Sequence, residues 1–592
     1  MKTSEWETHT PNNPTVRLPA AVRWYRHSNV QGLAMGILVI AAYMLMSCQT
    51  LMTIGDQARV FRPEQFGAIG DGVHDDSRYI QHCIDLAAQL AADETGRKGT
   101  VILDGTYYVT RQVLVVNDTT PENELEIGPS GRIFHVPSGV TIAGHGTLTL
   151  LHDGKSSKTQ PANYTYVFWI THDPQKYSRS QGNAADHPES LVRHVTIADI
   201  TIVNDPASLM YAPWSETAAI WIYNGADITI DNVKTRHFHR GVAMAHCMRS
   251  RVTRCTIEDT RYIGIANYGH AGGSPRDRNC IEANRVIGNT HLSGGIYSSG
   301  RWTDVRNNRL TFSRGIWLLA YQEAVVEGNH IRRSPIPIRL GYGVNAGARN
   351  ATIRDNVMTG CTSGITLNGA VDCTVVGNRM DKFIERGADP MIEPPRGGYW
   401  GYGRVRAGIH AEDCQNVRIV DNVINGMGSG CPVGIHVSNS RFTTDYSVDP
   451  YKPTHKNDPP GMVTNSENIV QGNRIQAKSG LRIGYYIENQ QEIYFDNNSA
   501  TGEVSNRIIH CTGPVGTNRL SREIKIVEDA TPQCRRLVLR HHPMHPLGDP
   551  HSKFKYASPV PENEYFPPPP EQIPTHLPAK TVLEEMGPAY PY

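Results

Sequence analysis

Two short units recur through the middle of this chain, and they interleave. One is Gly-aliphatic: Gly241-Val242, Gly264-Ile265, Gly295-Ile296, Gly315-Ile316, Gly364-Ile365, Gly408-Ile409, Gly434-Ile435 and Gly480-Leu481. The other is Asn-x-aliphatic, beginning at Asn284, Asn308, Asn329, Asn356, Asn378, Asn422 and Asn473. Their steps fall mostly in the low-to-middle twenties, with longer ones where an insertion or an unmarked coil intervenes. A near-constant period of that size is the signature of a solenoid, in which each unit buries its apolar face only against its neighbours. Aliphatics alternate within each unit, so the units are short strands. Asn at the same turn of every coil can form a ladder of stacked amides. Leu is scarce at the repeat positions and β-branched residues dominate, which argues against a leucine-rich horseshoe. The expectation is an all-β, single-stranded parallel solenoid. The 592 residues therefore do not divide into several globular domains as length alone would suggest.

Ahead of the repeat stands Phe66-Gly67-Ala68-Ile69-Gly70-Asp71-Gly72-Val73-His74-Asp75-Asp76. The glycines permit tight turns, and Asp75 or Asp76 can cap a following helix. In that helix Ile80, Cys83, Ile84, Ala87 and Leu90 share one face. Strands at Gly99–Leu103 and Gly105–Val109 come next. This block resembles the N-terminal signature of pectate-lyase-superfamily proteins. The resemblance implies a right-handed parallel β-helix with a short N-terminal capping helix. It also implies a structural role for Asp71, Asp75 and Asp76. About a dozen coils, stacked roughly 4.8 Å apart, would give a rod of about 50–60 Å between Val101 and Ile509. Insertions are expected at 152–190, 385–405 and 440–465. The predicted organisation is an n-region over 1–32, an apolar segment over 33–48, a β-helix domain over 56–540 and a Pro-rich extended tail over 541–592.

The apolar segment, Leu33 to Cys48, contains no charge and follows Arg17, Arg23 and Arg26. Basic residues before it and their scarcity after it predict a cytoplasmic N-terminus and an exported body. Its end, Leu45-Met46-Ser47-Cys48, resembles a bacterial lipoprotein cleavage site, which would make Cys48 a lipid anchor. The expectation is a membrane-tethered protein of the periplasm or cell surface, as a lipoprotein or through an uncleaved anchor. Phage tailspikes share the family's fold, but this segment argues against that assignment. Export permits disulfides. Yet Cys255, Cys280, Cys373 and Cys414 recur near one point of the repeat, which suits stacked buried thiols equally well.

Net charge is +1, so no global charge points to nucleic acid, and no nucleic-acid partner is expected. Charge is nevertheless local: residues 240–354 hold 17 Arg, no Lys and seven acids. A basic patch in an exported neutral protein suits an anionic ligand. Tyr (26) and Trp (8) together far exceed Phe (11), as a surface for sugar rings requires. Strand alternation places Ala266 and Tyr268, Tyr297 and Ser299, Trp317, Leu319 and Tyr321, Arg339, Thr366 and Asn368, His410 and Glu412, His436 and Ser438, and Arg482 on one outer face. Such a column of rings and guanidiniums fits a linear, uronate-containing polysaccharide.

Hydrolysis needs two nearby carboxylates, and outward ones are few: Glu412, with Glu323 or Asp413. Metal-assisted elimination needs an acid cluster, and none is visible on the rod; no metal or cofactor is expected. The histidines His237, His239 and His246 fall in one coil but read as surface or turn residues. Metal-independent β-elimination or C5-epimerisation needs a Tyr or His proton carrier and a group that neutralises the sugar carboxylate. Tyr268-Gly269-His270 distantly resembles the Tyr-Gly-x-Asp-Pro-His-Asp motif of mannuronan C5-epimerases, without its Asp-Pro-His-Asp core. The catalytic candidates are thus Tyr268, His270, Arg301 and Arg339. Tyr297, Trp317, Tyr321, His410, Glu412, Tyr399 and Trp400 are candidates for substrate binding. The alternatives are a glycoside hydrolase and a non-catalytic polysaccharide-binding or surface-structural β-helix.

Overall fold

The computed structural model describes residues 60–92, 99–110, 131–150, 165–172, 190–206, 217–270, 274–288, 294–318, 323–341, 348–384, 407–438, 467–520, 524–527 and 537–539, with short breaks inside 407–438 and 467–520. The predicted n-region, the segment 33–48 with Cys48, the tail 541–592, Tyr321, Tyr399 and Trp400 lie outside the described residues. Among the described residues no helix is long and apolar enough to cross a membrane.

Three long sheets carry the chain, with sixteen strands in sheet 1, fifteen in sheet 2 and fourteen in sheet 3. Each is built from roughly every third strand of the sequence, because the chain visits sheet 3, sheet 1 and sheet 2 in turn before repeating. One such circuit is Arg240–Cys247, Arg251–Thr253 and Thr256–Thr260, and Ile263–His270 opens the next. Neighbours in the three sheets pair in parallel, as Val242↔Ile265, Val252↔Ile281 and Ile257↔Val286 do. This is the single-stranded parallel β-helix that the repeat predicts. Fifteen steps of about 4.8 Å make the sixteen-stranded sheet about 70 Å long. The core is a column of aliphatics from all three sheets, with Val242, Ile265, Ile281, Val286 and Ile338 fully buried.

The turn between sheets 1 and 2 explains the Asn repeat. One residue there takes a left-handed conformation (Asn307 at φ 55°, Asp355 at 55°, Gly377 at 65°), and the next points an Asn inward. Asn, Asp and Gly are the residues that tolerate that conformation. The inward amides form a continuous column from Asn284 through Asn308, Asn329, Asn356, Asn378, Asn422, Asn473 and Asn498 to Asn518. Asn378 is typical. Its Nδ2 donates to Asn422 Oδ1 (3.0 Å), Ile353 O (3.0 Å) and Val376 O (3.2 Å). Its Oδ1 accepts from the backbone N–H (3.1 Å) and Nδ2 (2.9 Å) of Asn356.

The Gly repeat marks the entry to sheet 3. A Cβ on Gly364 would lie 1.9 Å from Gly408 O, one on Gly408 would lie 2.7 Å from Gly434 O, and one on Gly434 would lie 2.4 Å from Gly484 O. Successive backbones therefore touch where only glycine fits. In the coil assigned to Gly480-Leu481, the pair in register is Gly484-Tyr485.

The cap behaves as the family resemblance implies. The helix runs from Ser77 to Ala92 and buries Ile80, Cys83, Ile84 and Ala87. Asp75 accepts from the Ser77 N–H, and fully buried Asp76 accepts from Ile69 and Gly70. Asp71 accepts from Val73 and His74, and those backbone hydrogen bonds hold its carboxyl down at about 2.

Two expectations need correction. The segment 152–190 is not all insertion, since Thr165–Ile170 is a fully buried strand of sheet 3. It has neither the Gly nor the Asn mark of the other coils. The four cysteines do not share one position. Cys255 takes the Asn place in a turn, its N–H donating to Asn284 Oδ1, whereas Cys280 lies within a strand of sheet 1 and Cys373 just before one. The nine cysteines among the described residues are free thiols, and burial pushes the Cys255 thiol up to about 12.

Removing one amide from the column leaves donors and acceptors of two coils unsatisfied in a dry interior. Asn378→Ala should lower unfolding stability by about 1–3 kcal/mol, read as a lower Tm. An unchanged Tm would refute the column as a stabilising element at that coil.

Candidate functional site

The outer face of sheet 3 is ordered by register. One row runs His135, Trp169, Trp221, Ala243, Ala266, Tyr297, Trp317, Arg339, Thr366, His410, His436, Tyr486 and Arg507. Alternation from the inward Ile/Val row predicts this face, and Tyr297, Trp317, Arg339, His410 and His436 stand on it as expected.

The middle coils build an aromatic platform. Small residues at Ala218, Ala243, Ala245 and Ala266 leave room for rings from neighbouring strands, and these alanines pack with Tyr166, Trp169, Trp221, Tyr223, Tyr262, Tyr268 and Tyr297. Tyr166 stacks on Trp221 with centroids 4.8 Å apart, Trp221 on Tyr268 at 6.1 Å, and Tyr268 meets Tyr297 at 5.4 Å.

Three guanidiniums lie in the platform, each about 7% exposed. Arg240 sits over Tyr262 (5.1 Å), Trp221 (5.7 Å) and Tyr268 (5.8 Å), and its Nε donates to the Tyr268 hydroxyl oxygen at 3.0 Å. Arg314 lies over Tyr262 (4.8 Å) and Trp317 (4.9 Å), and Arg339 over Trp317 (5.4 Å). Ring faces are a favourable setting for a guanidinium removed from water. They also leave its fork held in one orientation, ready for a planar carboxylate.

Sequence reasoning missed Arg240, Arg314, Trp221 and Tyr262. A signal existed: Arg240 and Arg314 each stand directly before a Gly-aliphatic pair, Gly241-Val242 and Gly315-Ile316. Of the other candidates, His270 ends the strand Ile263–His270, and its side chain lies outside the described set. Arg301 is exposed in the turn that follows Ile296–Ser298.

Further along the face lies a second group of chemically different character. His410 and His436 stack at 4.9 Å, and Tyr486 meets His436 edge-on at 5.0 Å. His436 Nε2 is 3.3 Å from Glu488 Oε1. Glu412, also on this face, accepts from Asn368 Nδ2 at 2.8 Å. Burial pushes the Glu488 carboxyl up to about 8, against the hydrogen bond from Tyr486, and pushes His436 down to about 3. Burial, and then the neighbouring His436, holds His410 well below its ordinary value. At neutral pH the His436–Glu488 contact is therefore a hydrogen bond between a carboxylic acid and a neutral imidazole, not an ion pair. The histidines of the earlier coil go elsewhere: His239 stacks on Tyr262 at 5.1 Å, and His237 contacts Asn204 O and Asp259.

Residues 192–382 match the family model for the right handed beta helix region. The described strands are those of a right-handed parallel β-helix. Among curated proteins, the β-helix is 32% identical over 126 residues to a capsule KN3-specific depolymerase of Klebsiella phage KN3-1. That stretch is 21% of this chain and 13% of the relative. It is 25% identical over 209 residues to the plasmin and fibronectin-binding protein A of Streptococcus pneumoniae, 34% of this chain and 24% of that one. The chain thus spans a minor part of each curated relative. Among solved structures it is similar to the A-module of a mannuronan C-5 epimerase from Azotobacter vinelandii, with 15% identity and TM-score 0.45. That match covers 78% of this chain and all of the module. It is also similar to the tailspike of Escherichia coli bacteriophage HK620 in complex with a pentasaccharide. There the identity is 12% and the TM-score 0.40, over 79% of this chain and 75% of that one.

The buried acid sets a pH test. The folded protein holds a proton on Glu488 that the unfolded chain loses above its ordinary 4.5, so this group's stabilisation is complete below 4.5 and lost as pH rises through about 8. His436 and His410 act oppositely: their contribution is full above 6.5 and lost as pH falls. Between pH 6.5 and 8, Glu488 therefore dominates among these three. Wild-type stability should fall there by up to about 1.4 kcal/mol per pH unit relative to Glu488→Gln, in denaturant melts of both proteins. Parallel stability curves for the two would show that Glu488 is not a buried acid.

Proposed function

We propose that the outer face of sheet 3 binds an acidic, uronate-containing polysaccharide and acts on it by β-elimination or C5-epimerisation. The observation that carries this reading is the Arg240 Nε to Tyr268 hydroxyl hydrogen bond (3.0 Å) at the centre of the aromatic platform. In its phenolate form this oxygen, held by the guanidinium, takes the C5 proton. Tyr268 is then the proton carrier. Arg339 and Arg314, held over Trp317, neutralise the sugar carboxylate. With that charge offset, loss of the C5 proton places the electron pair in the carboxylate as an enolate. Elimination follows if the C4–O bond breaks and the departing oxygen takes a proton. Epimerisation follows if a proton returns to C5 from the other side. Tyr297 stacks on a sugar face, whereas Trp317, 4% exposed, carries the two guanidiniums on its ring; His270 and Arg301 lie at the C-terminal edge of the platform.

The stretch shared with a capsule-specific phage depolymerase supports a capsule-type polymer as ligand. Membrane tethering through residues 33–48 and an exported location are part of this proposal. They rest on the basic residues that precede the apolar run.

A different observation favours glycoside hydrolysis as the second reading. Glu412 pairs in register with Ser438, and Ser438 follows Val437, which pairs with Ile487, placing Glu412 and Glu488 two coils apart on one row. That is about 10 Å between backbones, near the upper limit for an inverting acid–base pair. Glu488 is held protonated, as a general acid requires.

The readings separate by product. Uronate polymers should yield ultraviolet-absorbing unsaturated ends, or exchange of the C5 proton with solvent, in the first reading. They should yield reducing ends alone in the second. In the first, Tyr268→Phe, Arg240→Lys and Arg339→Ala should each lower kcat by about 100-fold or more, while Tyr268→Phe leaves binding unchanged. Full turnover in all three variants would remove the platform from catalysis.

A further inference from the structure

The excess of arginine over residues 240–354 is not accounted for by the platform. Sheet 2 presents three of these arginines, Arg285, Arg309 and Arg332, to solvent on a separate face. Three successive strands there are Arg285–Gly288, Arg309–Thr311 and His330–Arg332. Their middle residues, Val286, Leu310 and Ile331, are buried, so the flanking ones point out. Arg285 lies directly opposite Arg309, Arg309 opposite His330, and Thr311 opposite Arg332. Arg285, Arg309, His330 and Arg332 are all exposed. At the turn beside them, Arg333 lies 3.7 Å over the ring of Phe312.

Carboxylates border this stretch without entering it. On one side Glu258 pairs with Lys234 (3.6 Å), and on the other Asp381 pairs with Arg379 (2.6 Å). Among the described residues Arg285, Arg309 and Arg332 make no ion pair.

Like charges directly opposite one another on adjacent strands destabilise a sheet. The same row holds Thr256, Val357, Val423 and Ser499 in some coils and Lys234, Arg379, Arg474 and Arg519 in others, so a neutral residue fits there and a cation recurs. Lys234 and Arg379 have carboxylate partners, whereas Arg285 and Arg309 have none among the described residues, which leaves adjacent charges for a ligand outside the fold. The coil rise of about 4.8 Å sets Arg285, Arg309 and His330 along one rigid line, with Arg332 two residues further along its strand, opposite Thr311. A linear polymer with one anionic group per repeat matches such a line, and a compact anion does not.

We infer that the outer face of sheet 2 at Arg285, Arg309 and Arg332 is a second, non-catalytic binding surface for an acidic polysaccharide. It retains the polymer whose other segments reach sheet 3. The inference rests on the proposed polysaccharide reading for its ligand class, but it uses none of the platform residues. Binding here is electrostatic, so it releases counterions and weakens with salt.

The test uses the full chain and the triple variant R285T/R309T/R332T, with polygalacturonate as polymer probe and a short oligogalacturonide as site probe. The variant should bind the polymer about tenfold more weakly at low salt, with a shallower salt dependence. It should bind the oligogalacturonide and turn it over as wild type does. Its Tm should be equal or higher, because a repulsion has been removed. Equal polymer retention by variant and wild type, including no retention by either, overturns the inference. So does loss of binding only to vesicles containing phosphatidylserine, which would make the face a membrane contact. If Arg339→Ala leaves oligogalacturonide binding intact while the triple variant loses the polymer, the sheet 3 reading fails and the sheet 2 surface stands.

Discussion

Every feature of this protein depends on the stacking of one coil on the next. A parallel β-helix has no independent tertiary core. Each coil satisfies its backbone and buries its aliphatics only through its two neighbours. The Asn column makes that stacking specific. An amide that donates to one coil's carbonyl and to the next coil's amide fixes the register at the turn, as Asn378 does with Ile353 and Asn422. A slip of one residue would place a charged or aliphatic side chain in the column and leave both coils' polar groups dry and unsatisfied. The glycines at the entry to sheet 3 impose the second condition, because Gly408 and Gly434 come too close to the following coil to accept a Cβ.

The candidate site follows from these two conditions. With register fixed at the turn and at the close-packed glycines, a side chain on sheet 3 stands in line with its counterparts on neighbouring coils. Large and small residues can then complement one another between coils. Trp221 and Tyr268 lie over the alanines beneath them, and Arg240 finds both rings and a phenol oxygen from strands on either side. No loop has to fold to assemble the platform, so its ordering cost is met by the solenoid itself.

The parts of this arrangement legible in the sequence were those repeated by geometry. The Asn and Gly units, the inward aliphatics and the outer row through Tyr297, Trp317, Arg339, His410 and His436 all follow from periodicity, and the structure places them as read. What escaped was set by single coils. Thr165–Ile170 is buried along its whole length, so it shows no alternation and bears neither mark. Arg240 and Arg314 lie over the outer-face rings although each stands two residues before an inward aliphatic, Val242 and Ile316, which strict period-two alternation does not predict. Glu488 was missed because the coil's glycine was assigned to Gly480 in place of Gly484, which hid the position of Tyr486 and Glu488 on the outer face. The basic excess was visible as composition, but its division between two faces needed the register of sheet 2.

That division gives the rod a chemical polarity around its circumference and along its length. On sheet 3 the guanidiniums are buried among rings, where their charge is held in one place and directed. On sheet 2 they are exposed and water-screened, so they act through number and spacing and contribute little individually. Along sheet 3, the cationic platform gives way to the neutral His410, His436 and Glu488 group, where burial has removed charge from all three side chains. A carboxylate is favoured at the first group and disfavoured at the second, since the second has no charge to offset it. The two groups thus differ along one face of the sheet: guanidiniums held over rings at the first, and side chains nearly closed to solvent (His410 5%, His436 0%, Glu488 6% exposed) at the second.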